Sequence, residues 1–321
     1  MELARIIARE IGERGPIPFR RFMELALYHP RHGYYTGPRD PFGTDGDFYT
    51  NAQLQPVFGR LVAQQVESWR QELGCPANFS VTELGPGRGE LGRQVRECSP
   101  GIDWSGVDYG DPWPERPVTG VFLCNEFLDA LPVDSVERAG DGWLQRGVGL
   151  RDGRFCWQPI GPVRADAAWP DIEPGRRIES CAGQVAALRR ISESLERGWA
   201  LVIDYGYTRA EVERGGRFPD GSLMGYARHR ADPDVLREPG RRDITAHVNF
   251  SALQDAARDA GLAVEPVRSQ QAYLLGLGER DGFASALAAD SERQSAQFRM
   301  QLKTLLCGLG ETFRVLVLRK R

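Results

Sequence analysis

Apolar residues recur at helical spacing in the first quarter of the chain and in short unbroken runs after it. Phe19, Phe22, Met23 and Ala26 share one face of a helix predicted from Pro18 to Leu27, and Met1 to Glu13 predicts a helix before it. A Gly/Pro/Asp-rich loop spans His29 to Asn51, and Pro56 suits the first turn of a helix running to about Leu73. Phe79 to Leu84 then reads as a buried strand, Glu90 to Cys98 as a helix, Ile102 to Asp108 as a weak strand and Gly120 to Cys124 as a clear one. Pro132 to Arg138, Trp143 to Val148 and Phe155 to Pro159 form a meander, with turns at Gly140 to Gly142 and at Asp152-Gly153. Ser180 to Arg197 predicts a helix stopped by Gly198, and Trp199 to Tyr205 another buried strand. Gly206 to Asn249 shows no period. Ser251 to Ala260 predicts a helix, Leu262 to Val267 a strand, residues 272–309 further helices, and Phe313 to Leu318 a last strand. The alternation after residue 78 predicts an α/β fold with a doubly wound, mainly parallel sheet.

Composition narrows the class. The 321 residues, 41% hydrophobic and 26% charged, suffice for a full core in one large domain or two intertwined ones. A net charge of −3 gives no global attraction to nucleic acid or to an anionic membrane. No stretch reaches the ~18 apolar residues of a membrane span. Glu2, Glu10 and Glu13 argue against a signal peptide or presequence, so the first segment reads as a helix of the mature protein. The six cysteines form no CxxC pair. His29 and His32 are separated by Pro30 and followed by Gly33, which break any helix there, so no metal site is expected. Reduced thiols and a cytoplasmic location are the resulting expectations.

The most informative local motif is Thr82-Glu83-Leu84-Gly85-Pro86-Gly87-Arg88-Gly89, between a strand and a helix. Its glycines allow positive φ and close approach of backbone to a ligand. A dinucleotide fold wants G-x-G-x-x-G, but Glu90 stands where the third glycine would be and would repel a pyrophosphate. No Gly-Lys-Ser/Thr comes after it, which excludes a P-loop. S-adenosylmethionine has no phosphate and carries a cationic amine, for which Glu83 is a reasonable acceptor, directly or through water. A plain glycine turn is the competing reading.

Longer strings carry a resemblance. Phe22 to Pro30 with Gly33-Tyr34-Tyr35, Gly46 to Thr50 with Phe58-Gly59 and Trp69, and Glu83 to Gly89 come one after another in order. So do Asn125-Glu126-Phe127-Leu128-Asp129-Ala130-Leu131-Pro132-Val133, Ile203 to Tyr207, His229-Arg230 and Asp243 to Phe250. Together they cover nearly the whole chain, which resembles the MidA family of bacterial and mitochondrial methyltransferase-fold proteins. The resemblance implies a class I methyltransferase with a seven-stranded type of sheet, S-adenosyl-L-methionine as cofactor, and a protein substrate. The mitochondrial members are linked to complex I assembly and to symmetric dimethylation of an arginine, so a respiratory complex subunit is the partner it suggests. The expected organisation is an N-terminal helical region with a lid loop over residues 1–75 and a methyltransferase domain over 76–321, with insertions at about 132–180 and 206–250.

The expected cofactor contacts are Glu83, Gly85, Gly87 and Gly89 in the glycine loop, Asn125, which touches cofactor or acceptor, Asp108 on one of two alignments, and Asp47 and Thr50, which the resemblance puts in a lid near the cofactor and which otherwise cap the helix starting near Gln55. Asn125 and Glu126 come directly after a strand, and ligands of doubly wound sheets sit beyond strand carboxyl ends. A guanidinium is protonated at any working pH, and a carboxylate pair can hold it and aim one nitrogen. Glu126 and Asp129 are therefore the expected catalytic groups. The bland alternatives are a surface acid and a turn cap. Asp204, at another strand end, is a further cleft candidate, while His229 and His247 read as structural.

One departure matters. Relatives carry an acidic strand end and a further helix between the glycine loop and the Asn-Glu string, whereas only Ser99 to Thr119 remains here. Either Asp108 is the ribose acid and the next helix and strand are lost, or Trp104 belongs to a later segment and the ribose strand itself is missing. Asp103-Trp104-Ser105 resembles that later stretch and tilts the reading to the second. Both leave the sheet short of an edge strand. The shortening keeps two other functions open beside protein methyl transfer: a non-catalytic assembly protein, and a small-molecule methyltransferase.

Overall fold

The computed structural model describes residues 2–38, 56–214, 216–308 and 310–321. Its contacts divide the chain into two compact units. One gathers Met1–Tyr49, Asp129–Ala186 and Tyr207–Ala252, the other Thr50–Leu128, Ala187–Gly206 and Leu253–Arg321.

The second unit is built on the main sheet. Its strands lie in the order Ala263–Val264, Phe313–Lys320, Leu195–Tyr207, Val118–Asn125, Phe79–Leu84, Asp103–Val107. The last four of these run parallel, while Phe313–Lys320 inserts antiparallel beside Leu195–Tyr207. Val118–Asn125 is buried at every position, as a strand with neighbours on both sides and layers on both faces must be. Val81, Val121, Leu123, Trp199, Leu201 and Ile203 bury one face under the helices Pro56–Glu72 and Glu90–Cys98, with Phe58, Leu61, Leu91 and Val95 opposite them. Trp69 stacks on Trp199 at 5.2 Å between ring centroids.

Two expectations are corrected in this unit. The helix predicted to run to Arg197 ends at Ser194, and Gly198 lies inside a strand. A side chain on Gly198 would strike the carbonyl oxygen of Gly120 on the neighbouring strand, so this glycine serves close strand approach rather than a helix stop. The second correction concerns Trp104. Asp103–Val107 pairs directly with the glycine-loop strand, Val81 opposite Trp104 and Leu84 opposite Val107. The strand preceding Asp108 is therefore present, and the helix and strand expected after it are lost. Among the described residues the sheet ends there. Residues 108–117 carry neither helix nor strand. They fold back onto the sheet, with Trp113 stacked on Phe122 at 5.8 Å and the Arg190 guanidinium 4.6 Å from the Trp113 ring.

The other unit is antiparallel. Gly142–Arg151 pairs with Ile17–Pro18, Asp134–Ala139 and Arg154–Val163, and Asp134–Ala139 also pairs with Arg177–Ser180. The helices Glu2–Arg14 and Phe19–Tyr28 bury Leu3, Ile7, Phe19 and Phe22 against Val148 and Ile244, with Phe19 4.8 Å from Trp157 and Phe22 5.5 Å from Phe155. The stretch without period contains a small sheet, Arg230–Asp232, Met224–Ala227 and Asp243–Thr245 in that order. Strands of three or four residues are too short to show alternation, which is why the sequence hid them.

Candidate functional site

In the sheet unit, the glycine loop leaves the strand Phe79–Leu84 and enters the helix Glu90–Cys98. Gly85, Gly87 and Gly89 all adopt left-handed backbone, with φ of 68°, 52° and 72°. A Cβ on Gly85 would come within 2.6 Å of the Phe127 ring, so only glycine lets the loop and the Asn-Glu segment lie this close. Gly89 caps the helix without a side chain, leaving the first-turn N–H groups uncovered by any cap.

Asn125 ends the central strand. It is 8% exposed, and its Oδ1 is buried with no hydrogen-bond partner, while its Nδ2 donates to Glu126 Oε1 at 3.3 Å. Glu126 is half-buried and holds φ at 54°, uncommon for a residue with a Cβ. Two bonds fix that conformation: Glu126 N–H donates to Ile203 O at 3.0 Å, and Leu128 N–H to Asp204 Oδ2 at 2.9 Å. Asp204 is fully buried and also accepts from its neighbour Tyr205 N–H at 2.8 Å, so it holds backbone. Asp108 comes just after the edge strand, is exposed, and accepts from Tyr109 N–H at 2.8 Å, while its own N–H donates to Asp111 Oδ2 at 3.0 Å.

Glu83 does not stand open at the strand end. It shares the face of Val81, Trp104 and Leu123, is 4% exposed, and accepts from Trp104 Nε1 at 2.9 Å. Burial raises its pKa to about 7, with Glu90 adding to the rise and Trp104 and Arg96 opposing it. Strand alternation decides this, because the residue before Leu84 points into the helix layer. Asp47 and Thr50 lie outside the described residues.

In the other unit, Asp129 is 6% exposed, and its carbonyl accepts from Ala246 N–H at 2.9 Å. Asp243, also buried, accepts from the Tyr35 hydroxyl and from Ile244 N–H, both at 2.9 Å. The Tyr35 hydroxyl is pushed well above its ordinary pKa, first by burial, then by Asp243, with Tyr28 and Asp129 adding to it. Tyr226 is raised too, by burial and then by Asp129 and Asp243. The unit thus assembles two buried carboxylates ringed by tyrosines. Asp243 and Tyr35 stand in strings that carried the family resemblance, but nothing in their spacing predicted that they would meet.

Comparison with known proteins decides the family. Residues 98–267 match the S-adenosyl-L-methionine-dependent methyltransferase family. A Burkholderia thailandensis protein crystallised with S-adenosyl-homocysteine superposes with a TM-score of 0.89 at 31% identity, covering 99% of this chain and 92% of that one. The chain belongs to the MidA family of S-adenosylmethionine-dependent methyltransferases. A native crystal structure from the same organism gives a TM-score of 0.84 at 31% identity, covering 99% of this chain and 91% of that one. Among curated relatives, the mitochondrial protein arginine methyltransferase NDUFAF7 of Xenopus tropicalis is 25% identical over 327 residues, 84% of this chain and 74% of that protein. Its human counterpart is 26% identical over 334 residues, 86% and 73%.

The cofactor of this MidA-family protein is S-adenosylmethionine, and the residues present fit it. The three glycines hold left-handed backbone that presents no side chain to a ligand, and Asn125 Oδ1 is a buried acceptor without a donor. Asp108 is a carboxylate at the end of the strand next to the glycine loop, the place of a ribose-diol acceptor in a doubly wound fold. Glu90 would repel a phosphate but not a zwitterionic methionyl group.

Proposed function

We infer that the chain methylates a protein side chain, an arginine guanidinium. The observation that carries this reading is Glu126: a carboxylate at the end of the central strand, held in left-handed backbone by the Ile203 and Asp204 bonds. Strain of this kind, roughly 1–3 kcal/mol, persists where the surroundings enforce it, and it clusters at reaction centres. The relatives named as protein arginine methyltransferases support the choice of acceptor.

When bound, the cofactor supplies an electrophilic methyl group. Gly85, Gly87 and Gly89 let the backbone approach it, Asp108 accepts from the ribose hydroxyls, and Asn125 offers Oδ1 to the bound ligand. Glu83 acts on its amine only through intervening groups, because its carboxylate is buried, with Oε2 accepting from Trp104. Glu126 would pair with the guanidinium, aim one nitrogen, and receive its proton as the carbon–nitrogen bond forms and the methyl–sulfur bond breaks, releasing S-adenosylhomocysteine.

Calorimetric titration with S-adenosylmethionine, with a Gly87→Val control, tests the cofactor half of the reading. Incubation with labelled cofactor and arginine-containing protein extract tests the transfer half. Binding lost in Gly87→Val, and label in methylarginine lost in Glu126→Gln, are the expected results. Binding without any transfer favours an assembly protein instead, and full transfer by Glu126→Gln removes Glu126 from the mechanism.

A further inference from the structure

In the unit that carries the small three-stranded sheet, a cavity of about 930 Å³ lies between the segment after the second helix and the hairpin of that sheet. Six arginines line it: Arg31, Arg228, Arg230, Arg237, Arg241 and Arg242. Three carboxylates also line it, and each is already engaged. Glu2 pairs with Arg5 at 3.5 Å, Asp232 with Arg242 at 2.9 Å and Arg237 at 3.1 Å, and Glu238 with Arg242 at 3.4 Å. Among the described residues, Arg31, Arg230 and Arg241 pair with no carboxylate. Arg242 is 4% exposed, and its Nε is buried with no hydrogen-bond partner. Uncompensated guanidinium groups around one concavity repel one another, and an anionic ligand relieves that repulsion.

Backbone geometry marks the same place. Ala227 pairs with Arg230 across the hairpin, so Arg228 and His229 alone make the turn, with φ of 51° and 58°. Two-residue turns of this hand favour Asn-Gly, because both central residues need positive φ. A side chain at each position is strained, and here one of the two is a cavity-lining arginine.

We propose that this cavity binds an acidic segment of a polypeptide partner. The open guanidinium groups come from three separate stretches of chain, at residues 31, 230 and 241, with Leu3, Tyr34 and Pro233 among them on the wall. Spaced carboxylates with small apolar side chains between them match that wall, whereas a single phosphate engages one fork of it. Planar guanidinium groups take carboxylates bidentately, which gives register as well as charge. The volume lies in the range of ligand pockets, roughly 300–1,000 Å³, and suits a short peptide stretch rather than a nucleic-acid duplex.

The test is fluorescence polarisation of a labelled octapeptide alternating Glu and Ala, titrated with the full chain, with an alternating Lys and Ala peptide as control. Wild-type protein is expected to bind the Glu peptide and not the Lys peptide, with affinity falling steeply as salt rises. Arg230→Glu combined with Arg241→Glu is expected to weaken binding at least tenfold. S-adenosylmethionine titration of the same variant, unchanged from wild type, establishes that it is folded. Equal binding by the double variant overturns the proposal. So does absence of Glu-peptide binding, including the case where inorganic phosphate alone is bound. The readout is binding, so its failure leaves the methyl-transfer reading standing, and failure of methyl transfer leaves this one standing.

Discussion

The Asp204 carboxylate accepts the backbone N–H of Leu128 at 2.9 Å, and with the Glu126 N–H bond to Ile203 O at 3.0 Å it ties the segment carrying Glu126 to the neighbouring strand. Asp204 is fully buried, so truncation removes from the core a carboxylate that accepts from the backbone N–H groups of Leu128 and Tyr205. Asp204→Ala is expected to lower stability by about 1–3 kcal/mol. It should also slow methyl transfer more than it weakens cofactor binding, because Glu126 loses its support. Thermal melts and single-turnover kinetics check both. A variant with normal transfer would show that the Ile203 bond alone holds the Glu126 conformation.

Glu83 makes stability depend on pH. Its pKa is raised from 4.5 to about 7, chiefly by burial. A raised carboxyl contributes stability in full below its unfolded pKa and loses it as pH climbs through the folded value. Stability should therefore fall between about pH 4.5 and pH 7 on this account. Glu83→Gln keeps the acceptor for Trp104 Nε1 and removes the charge, so it should be the more stable protein at pH 8, by on the order of 3 kcal/mol. Urea midpoints of the two proteins at pH 5 and pH 8 measure the difference.

His247 acts with the opposite sign. Burial lowers its pKa from 6.5 to about 4, Arg217 adds to this, and the Ser222 contact opposes it. A depressed imidazole pKa withdraws stability as pH falls from 6.5 towards 4, because the unfolded chain takes up the proton first. His247→Asn should flatten the acid limb of the stability curve while leaving pH 8 little changed. The two groups oppose each other over the same window, so only the pair of variants separates them.

Asp108 tests whether the short sheet still binds cofactor well. The residue is exposed, and among the described residues its carboxylate accepts only from the adjacent Tyr109 N–H. Asp108→Ala should leave the melting temperature of the free protein unchanged. It should weaken S-adenosylmethionine binding ten- to a hundredfold, as loss of a charged hydrogen-bond partner worth about 1.5–3 kcal/mol implies. Unchanged affinity would move the ribose contact to another residue.

What the sequence displayed was whatever repeats locally. The strand Phe79–Leu84, the glycine loop and the helix Glu90–Cys98 fall where hydrophobic runs and glycine spacing put them. The antiparallel last strand agrees with the fold that the strings suggested. Contacts between distant residues left no such trace. Trp104 at Glu83, Asp243 at Tyr35 and Asp204 at Leu128 join positions 21, 208 and 76 residues apart. Asp204 reads from the sequence as an acid at a strand end, and its buried bond to the Leu128 N–H spans a separation that no local pattern shows.

The strand Asp103–Val107 has a partner on one side only among the described residues. An open edge carries a row of unpaired N–H and C=O groups, a template onto which another chain can add and aggregate. This edge is five residues long, with Asp103, Ser105 and Gly106 exposed and no run of branched apolar side chains to attract a stranger. The strand that lies outermost therefore carries a sequence that discourages company rather than one fit for the interior. Valine or isoleucine at Ser105 would put branched apolar surface on an edge with nothing beside it among the described residues, and the protein would become sticky before it became unstable.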